Sequence, residues 1–286
     1  MTLVNWLLAG CISLAMLYTG LLFDPAWASL DFIRGKLRRF AVLTLINYLA
    51  VPLLAVAMIT VFPVNPTLTL ALITLAALPC APLVPALLTL VSEPPEWPLF
   101  VFLGFSALSL VFVIVLIAIL SHSAAYAANI GENTATKLLQ YVLVVYGPMA
   151  LGALGRLLAP RTAQCLLGPV RALTGISLVL MLTVFAIVHR GDFANISSID
   201  LLLILGFVLL CSLLGAITSQ RFAGPRSTAI VSTAFRNIAL GIAFTTVVLR
   251  RPDVTTYMVI YSFITLPVCV VFLAAHKSAG CRVASG

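Results

Sequence analysis

Charge is what this sequence has least of: Asp, Glu, Lys and Arg together make up 8% of its 286 residues, against 62% hydrophobic ones. Soluble globular domains carry roughly a quarter charged residues, so an ordinary water-facing surface is excluded. Histidine is scarce, and the six cysteines (Cys11, Cys80, Cys165, Cys211, Cys269, Cys281) contain no Cys-x-x-Cys pair. Without that spacing the cysteines read as small polarizable residues of apolar runs, and neither a metal site nor a cofactor is expected. The eight carboxylates, Asp24, Asp31, Glu93, Glu96, Glu132, Asp192, Asp200 and Asp253, all fall in loops or at the ends of apolar runs. An intramembrane enzyme needs a nucleophile, base or metal ligands gathered at one depth. None are, so no catalytic residue is assigned.

Apolar length is what the sequence does have, with a mean hydropathy of +1.19. A bilayer core of about 30 Å needs roughly 20 apolar residues per helix. Nine runs approach this: residues 3–23, 39–62, 68–91, 98–120, 137–158, 171–188, 200–219, 227–249 and 254–275. They leave no room for a soluble domain, so residues 1–286 read as one membrane unit of about nine transmembrane helices in an all-α membrane protein. Ala26-Trp27-Ala28 has the small-x-small form of a signal-peptidase site, but no basic residue precedes the first run, and a retained first helix is expected.

The formal net charge of +8 invites a nucleic-acid reading, but most basic residues lie beside apolar runs, where they act as topology signals and leave no nucleic-acid patch. With the N-terminus outside, Arg34, Lys36, Arg38, Arg39, Arg156, Arg161, Arg171, Arg221, Arg226, Lys277 and Arg282 face inward; Lys137, Arg190, Arg250 and Arg251 face outward. The positive-inside rule thus favours a multi-pass protein of an inner or plasma membrane, with an external N-terminus and a cytoplasmic C-terminus. The lipid bilayer is its first partner, and homodimerisation is compatible with the sequence.

One basic residue remains. Arg236 lies near the middle of the run 227–249, where a charge costs about 2.5–3.5 kcal/mol and is expected to face a protein interior or a wet cavity. Ser232 and Arg236, like Thr233 and Asn237, are four residues apart, giving neighbouring polar rows on one flank. Against a binding role stands an arginine that bonds the carbonyls of a neighbouring helix and locks packing. The run 68–91 carries Pro79, Cys80, Ala81, Pro82 and Pro85 at mid-depth, and a continuous helix there is not expected. Freed backbone groups at such depth must be buried or line a cavity, as in the broken helices of secondary transporters. Pairing runs two to four with runs seven to nine puts both irregular helices at equivalent places in two three-helix units of opposite direction, an inverted-repeat arrangement.

These residues resemble the bile acid:sodium symporter superfamily along nearly the whole chain. The stretch from Ile12 to Arg39, with Tyr18-Thr19-Gly20-Leu21 before Asp31-Phe32, resembles the family's amphiphilic first loop. Asn47-Tyr48-Leu49-Ala50-Val51-Pro52 is similar to its Gln-Phe-x-x-x-Pro pattern. Pro79-Cys80-Ala81 is similar to the Pro-Gly-Gly of its first helix break, and the segment from Thr233 to Leu240 to the Gly-x-Gln-Asn-x-x-Leu of its second. The resemblance implies a panel of three helices (3–23, 137–158, 171–188) beside a core (39–62, 68–91, 98–120, 200–219, 227–249, 254–275) in which two broken helices cross. Movement of core against panel would give alternating access.

This chain departs from the family's cation sites. Sodium-coupled members have a glutamate and a glutamine where it has Ser232 and Arg236, and a serine and an asparagine where it has Val84 and Pro85; Asn47 is the one retained amide. Sodium wants several oxygens, and Arg236 would repel it. The expectation is therefore a secondary transporter of a small organic anion, not sodium-coupled, with a site formed by Arg236, Asn237, Thr233, Ser232, Asn47, Pro79, Cys80, Ala81, Pro82 and Pro85. The alternatives are a sodium-dependent organic-anion symporter, an arsenite-type efflux carrier using Cys80, and a receptor or assembly subunit that moves no solute. Arsenite carriers have an acid where this chain has Ala239.

Overall fold

A computed structural model describes residues 3–24, 30–89, 93–121, 134–188, 190–191, 196–221, 225–251 and 253–283. Ala26-Trp27-Ala28 and two of the three histidines, His122 and His189, lie outside the described residues. Every regular element among the described residues is helical. In chain order these are α1 (Leu3–Leu21), α2 (Leu30–Leu45), α3 (Val51–Val61), α4 (Pro66–Ala77), α5 (Val84–Thr89) and α6 (Glu96–Ser121). There follow α7 (Thr134–Leu158), α8 (Pro160–Val188), α9 (Ser198–Arg221), α10 (Arg226–Ala234), α11 (Ile238–Ala243) and α12 (Val254–Val283). A π turn, Ile46–Ala50, joins α2 to α3 without a break, and a second, Phe244–Val248, prolongs α11.

Six helical stretches among the described residues are long and apolar enough to cross a bilayer: Arg34–Val61, Glu96–Val115, Pro160–Val188, Ser198–Ser219, Arg226–Thr246 and Val254–Ala274. Three shorter apolar helices, Ala9–Leu21, Pro66–Ala77 and Val142–Leu158, accompany them. This is the helix complement of a multi-pass membrane protein. Burial runs opposite to that of a soluble fold: Leu173, Ile176 and Val179 stand exposed on α8, while Arg236 is fully buried. Aliphatic faces turned outward suit hydrocarbon, and the backbone polar groups are satisfied within the helices.

Several bounds differ from the sequence reading; the last helix, expected to end at residue 275, runs on to Val283. The segment after Asp31, expected to belong to a loop, is helical from Leu30. Its Arg, Lys, Leu and Phe residues are helix-compatible, and no proline interrupts it before Pro52. The helix expected over 171–188 begins eleven residues earlier, at Pro160, and runs through Pro169. Proline at the first helical position is favourable, and an internal proline is tolerated in an apolar helix whose freed carbonyl finds a local partner.

Helix α1 lies along α7 and α8, which also touch each other. Small residues permit this approach: a Cβ on Gly20 would sit 2.1 Å from Met149 O, and one on Gly152 would sit 2.5 Å from Leu17 O. Glycine at such a crossing lets two backbones meet where lipid offers no hydrophobic drive to association. A second group gathers around the short helices: α9 packs on α10 and α12, α12 on α4 and α11, and α3 on α4 and α9. The groups meet where α1 touches α5 and α7 touches α11. Leu68, Leu72, Leu75, Phe102, Phe105, Phe207 and Tyr261 fill the core of the second group.

Candidate functional site

Pro79 creates the first half of the site. It has no N–H to return to Leu75, and it drives Leu78 out of helical geometry (φ −118°, ψ 79°). The chain leaves the helix, so the carbonyls of Leu75 and Ala76 lose the partners four residues on. One side chain takes both. Arg236 Nε donates to Leu75 O at 2.8 Å, and its Nη2 donates to Ala76 O.

Pro52 does the same on the neighbouring helix. In the π turn the Val51 amide reaches back five residues to Ile46 O; the next such bond, to Asn47 O, would come from Pro52, which has no amide hydrogen. The vacant Asn47 O lies 3.4 Å from Arg236 Nη2, and Asn47 Oδ1 accepts from Nη1 at 2.6 Å. The fifth oxygen is Thr233 O, 3.1 Å from Nη1. Its usual donor, the Asn237 amide, bonds Leu78 O at 2.8 Å instead. Five oxygens thus meet the five N–H groups of one guanidinium. None of them is acidic, so the positive charge is solvated but not neutralised.

The second break, Phe235 to Asn237, contains neither proline nor glycine and is held by tertiary partners. Asn237 Oδ1 caps α11 through Leu240 N at 3.1 Å. The Tyr261 hydroxyl donates to Ala234 O, and the Ala81 amide to Phe235 O at 2.9 Å. Together with the bond from Asn237 N to Leu78 O, this ties the two breaks to each other through their backbones. Cys80 adopts φ 59°, a left-handed conformation that costs an L-residue with a side chain about 1 kcal/mol or more. It is held there by full burial at the crossing.

Polar clusters fasten the far ends of the two broken helices in a reciprocal way. Glu93, just before α6, accepts from Ser227 and Thr228 in the first turn of α10. Asp253, just before α12, accepts from Thr67 in the first turn of α4 at 3.1 Å and pairs with Arg251 at 2.7 Å. The Arg251 hydrogen bond holds the Asp253 carboxyl below the ordinary carboxylate range. Nearby, the buried Asp200 accepts from Asn65 at 2.8 Å and from the Tyr257 hydroxyl at 3.0 Å.

Beside the crossing lies an apolar cleft with a cavity volume of about 70 Å³. Ala81, Pro82, Phe235 and Arg236 form its floor, and Ile12 of α1 and Met181 of α8 face them. Arg236 therefore borders the cleft while its guanidinium turns inward to the carbonyl cage with no exposed area. A direct salt bridge from Arg236 to a bound carboxylate finds no open donor in this arrangement.

The ten residues expected at the site are all buried, and they divide by role. Arg236, Asn47 and Thr233 make the cage; Thr233 Oγ1 also accepts from Asn47 Nδ2 at 3.3 Å. Asn237 caps, and Pro79 and Cys80 shape the break. Ala81 and Pro82 line the cleft. Ser232 points back along its own helix, its hydroxyl 3.5 Å from Ala229 O, and Pro85 sits in the first turn of α5; neither joins the cage. Sequence reasoning missed Leu75 and Ala76, although counting back from Pro79 exposes Leu75 O, and it missed Tyr261, which had no signal beyond a hydroxyl within an apolar run. No family model matches the chain, and no curated protein matches it.

Proposed function

We propose that the protein is a secondary carrier for a small organic anion, working by alternating access, in which Arg236 takes the place of a coupling cation so that sodium is not required. The observation that carries this reading is the cage. Five neutral oxygens from three helices converge on one centre, a donor set of the kind hard cations seek. Its occupant is a guanidinium, which is weakly hydrated and cheaper to bury than an ammonium. A resident cation with no acid among its hydrogen-bond partners leaves a positive centre beside an apolar cleft, where low dielectric extends its reach. An anion is attracted there without contact.

Two further features support a moving core. The broken helices cross at the cage, a construction that secondary transporters use for midplane sites. The reciprocal fastenings, Glu93 to the start of α10 and Asp253 to the start of α4, have the form that two inverted three-helix units would give. In that reading α1, α7 and α8 are the panel, and the cleft between panel and core is the substrate path, with an external N-terminus and a cytoplasmic C-terminus.

The test is counterflow of a panel of radiolabelled organic anions in proteoliposomes, with choline replacing sodium on both sides. Equal flux in the two media is expected; a strict sodium requirement, abolished in Asn47→Ala, refutes the reading. A second reading, a receptor or assembly subunit that moves no solute, is favoured by the complete enclosure of the guanidinium, which locks the crossing. Thermal stabilisation by an anion in the native protein, lost in Arg236→Ala, separates a carrier from such a subunit.

A further inference from the structure

The outer face of α2 carries charges that neither the cage nor the cleft uses. Through the π turn α2 continues into α3 without a break as far as Val61. Its apolar part, Phe40 to Val61, is roughly 33 Å long at 1.5 Å per residue, which fills a hydrocarbon core of about 30 Å. The turns before Phe40, with Arg34, Lys36, Arg38 and Arg39, therefore stand at the depth of the lipid head groups.

These four cations are not equivalent. Lys36 turns to α6 and pairs with Glu96 at 3.3 Å. Phe40, one turn further on, packs on Phe100 and Phe105 with ring centroids 5.4 and 5.3 Å away. It also lies over Gly104, where a Cβ would sit 2.3 Å from the Phe40 ring. These contacts fix the rotation of α2 about its axis. Lys36 is two residues from both Arg34 and Arg38, so these two stand one turn apart on the side turned away from α6. Both are exposed, and neither has a hydrogen bond or ion pair among the described residues. Glu96 is held by Lys36, and Asp31, the one carboxylate of α2, has its side chain outside the described residues. Toward the bilayer centre the face that bears the two arginines continues as Ala41, Leu45, Leu49 and Leu53, all exposed.

A pair of unpartnered guanidiniums above an aliphatic stripe selects a class of ligand. A soluble anion would use the arginines and leave the leucines unused. A zwitterionic lipid would bring its own ammonium group against two cations. An anionic phospholipid fits the whole face, because guanidinium pairs with phosphate oxygens and an acyl chain covers the leucines.

We infer that this face of α2 is a binding site for one anionic phospholipid, with the phosphate held between Arg34 and Arg38 and an acyl chain lying along Leu45, Leu49 and Leu53. Arg39, exposed beside the pair, adds to the local positive potential. The orientation proposed above puts the site in the cytoplasmic leaflet, whose anionic lipids attract cations next to a transmembrane helix. The site itself does not depend on the carrier reading. The competing role is that of a topology signal, in which basic residues act by number and select no lipid.

The test is native mass spectrometry of the full chain, purified in detergent and titrated with phosphatidylglycerol or with phosphatidylcholine of the same acyl chains. The native protein is expected to retain one phosphatidylglycerol at a roughly thirtyfold lower concentration than phosphatidylcholine, the ratio that two cations at a charged head group imply. In Arg34→Gln/Arg38→Gln that preference falls to about threefold or less, and in Arg34→Lys/Arg38→Lys most of it survives. Arg161→Gln, which removes an exposed cation of α8, leaves the preference as it is in the native protein. Four outcomes overturn the inference: equal retention of the two lipids by the native protein, a preference that persists in Arg34→Gln/Arg38→Gln, an equal fall in Arg161→Gln as a diffuse charge effect would give, or displacement of phosphatidylglycerol by millimolar inorganic phosphate. An intact lipid preference without anion flux in proteoliposomes sinks the carrier reading and upholds this site. Sodium-independent anion flux without a lipid preference does the reverse.

Discussion

Replacing Arg236 by alanine tests the cage directly. The substitution strands Ala76 O, Asn47 O, Asn47 Oδ1 and Thr233 O at once, and leaves Leu75 O with the Leu78 amide alone. A buried acceptor left without a donor costs about 1–3 kcal/mol. Water entering the vacated volume recovers part of this, and removal of a buried charge returns its desolvation cost of several kcal/mol. If two of these four oxygens remain unmatched after both offsets, the net loss is on the order of 3 kcal/mol. At about 2–4 °C per kcal/mol for a chain of this size, the melting temperature falls by roughly 6–12 °C. The assay is thermal unfolding of the purified protein in detergent, followed by intrinsic fluorescence. Free guanidinium at millimolar concentration, far below denaturing levels, fits the emptied cage and restores part of the loss in Arg236→Ala through binding to the folded state alone. The native protein shows no such response. A melting temperature for Arg236→Ala within about 2 °C of native would refute the reasoning, since four acceptors cannot all be stranded in a dry interior at no cost.

Three smaller perturbations follow from the same geometry. Cys80→Gly relieves the left-handed backbone strain at φ 59° while giving up a buried side chain, so its stability stays within about 1 kcal/mol of native, whereas the β-branched Cys80→Val loses about 2 kcal/mol or more in a thermal melt. Gly152→Ala places a methyl 2.5 Å from Leu17 O and forces α1 and α7 apart, a loss of about 1–3 kcal/mol by the same measurement. Asp253 has a depressed carboxyl pKa, so its contribution is present above the ordinary carboxylate range and is lost as pH falls through the depressed value. This exposed pair with Arg251 contributes under about 1 kcal/mol; Asp253→Asn therefore removes a small acid-range step from the pH dependence of melting and leaves stability at neutral pH nearly unchanged.

Hydrophobic runs carried most of the fold, because a helix in lipid satisfies its backbone internally and needs only apolar length. The break at Pro79 was equally plain, since proline acts through its own missing amide. The break at Phe235 to Asn237 had no such local cause. It exists because Tyr261, Ala81 and Leu78 supply partners from distant helices, and a single sequence does not say which distant groups meet. Arg236 stood out as a mid-run charge, but its orientation toward carbonyls was set by Pro79 and Pro52 acting on oxygens four and five residues earlier. The cleft was hidden for another reason: it exists only because α1 and α8, through Ile12 and Met181, pack beside the two breaks, and a single sequence does not say which distant helices meet.

A tethered cation also has an energetic consequence for the proposed carrier. Where a mobile sodium ion accompanies an anion, the pair can cross without net charge; a guanidinium fixed to the protein does not cross with its substrate, so each monoanion moves alone. Moving one elementary charge through 100 mV is worth about 2.3 kcal/mol, which at 1.4 kcal/mol per decade is roughly a fifty-fold shift in the equilibrium ratio of the anion. An inside-negative potential therefore opposes uptake by that factor and favours release. Proteoliposomes with a potassium gradient give the measurement. Valinomycin added to set the interior negative should depress anion accumulation, the reversed gradient should raise it, and Arg236→Met, which removes the fixed charge without supplying a mobile one, should not restore electroneutral exchange with sodium. Accumulation indifferent to the imposed potential would mean that a proton or metal ion travels with the anion, and the tethered-cation account of this carrier would then fail even if the cage around Arg236 stood as described.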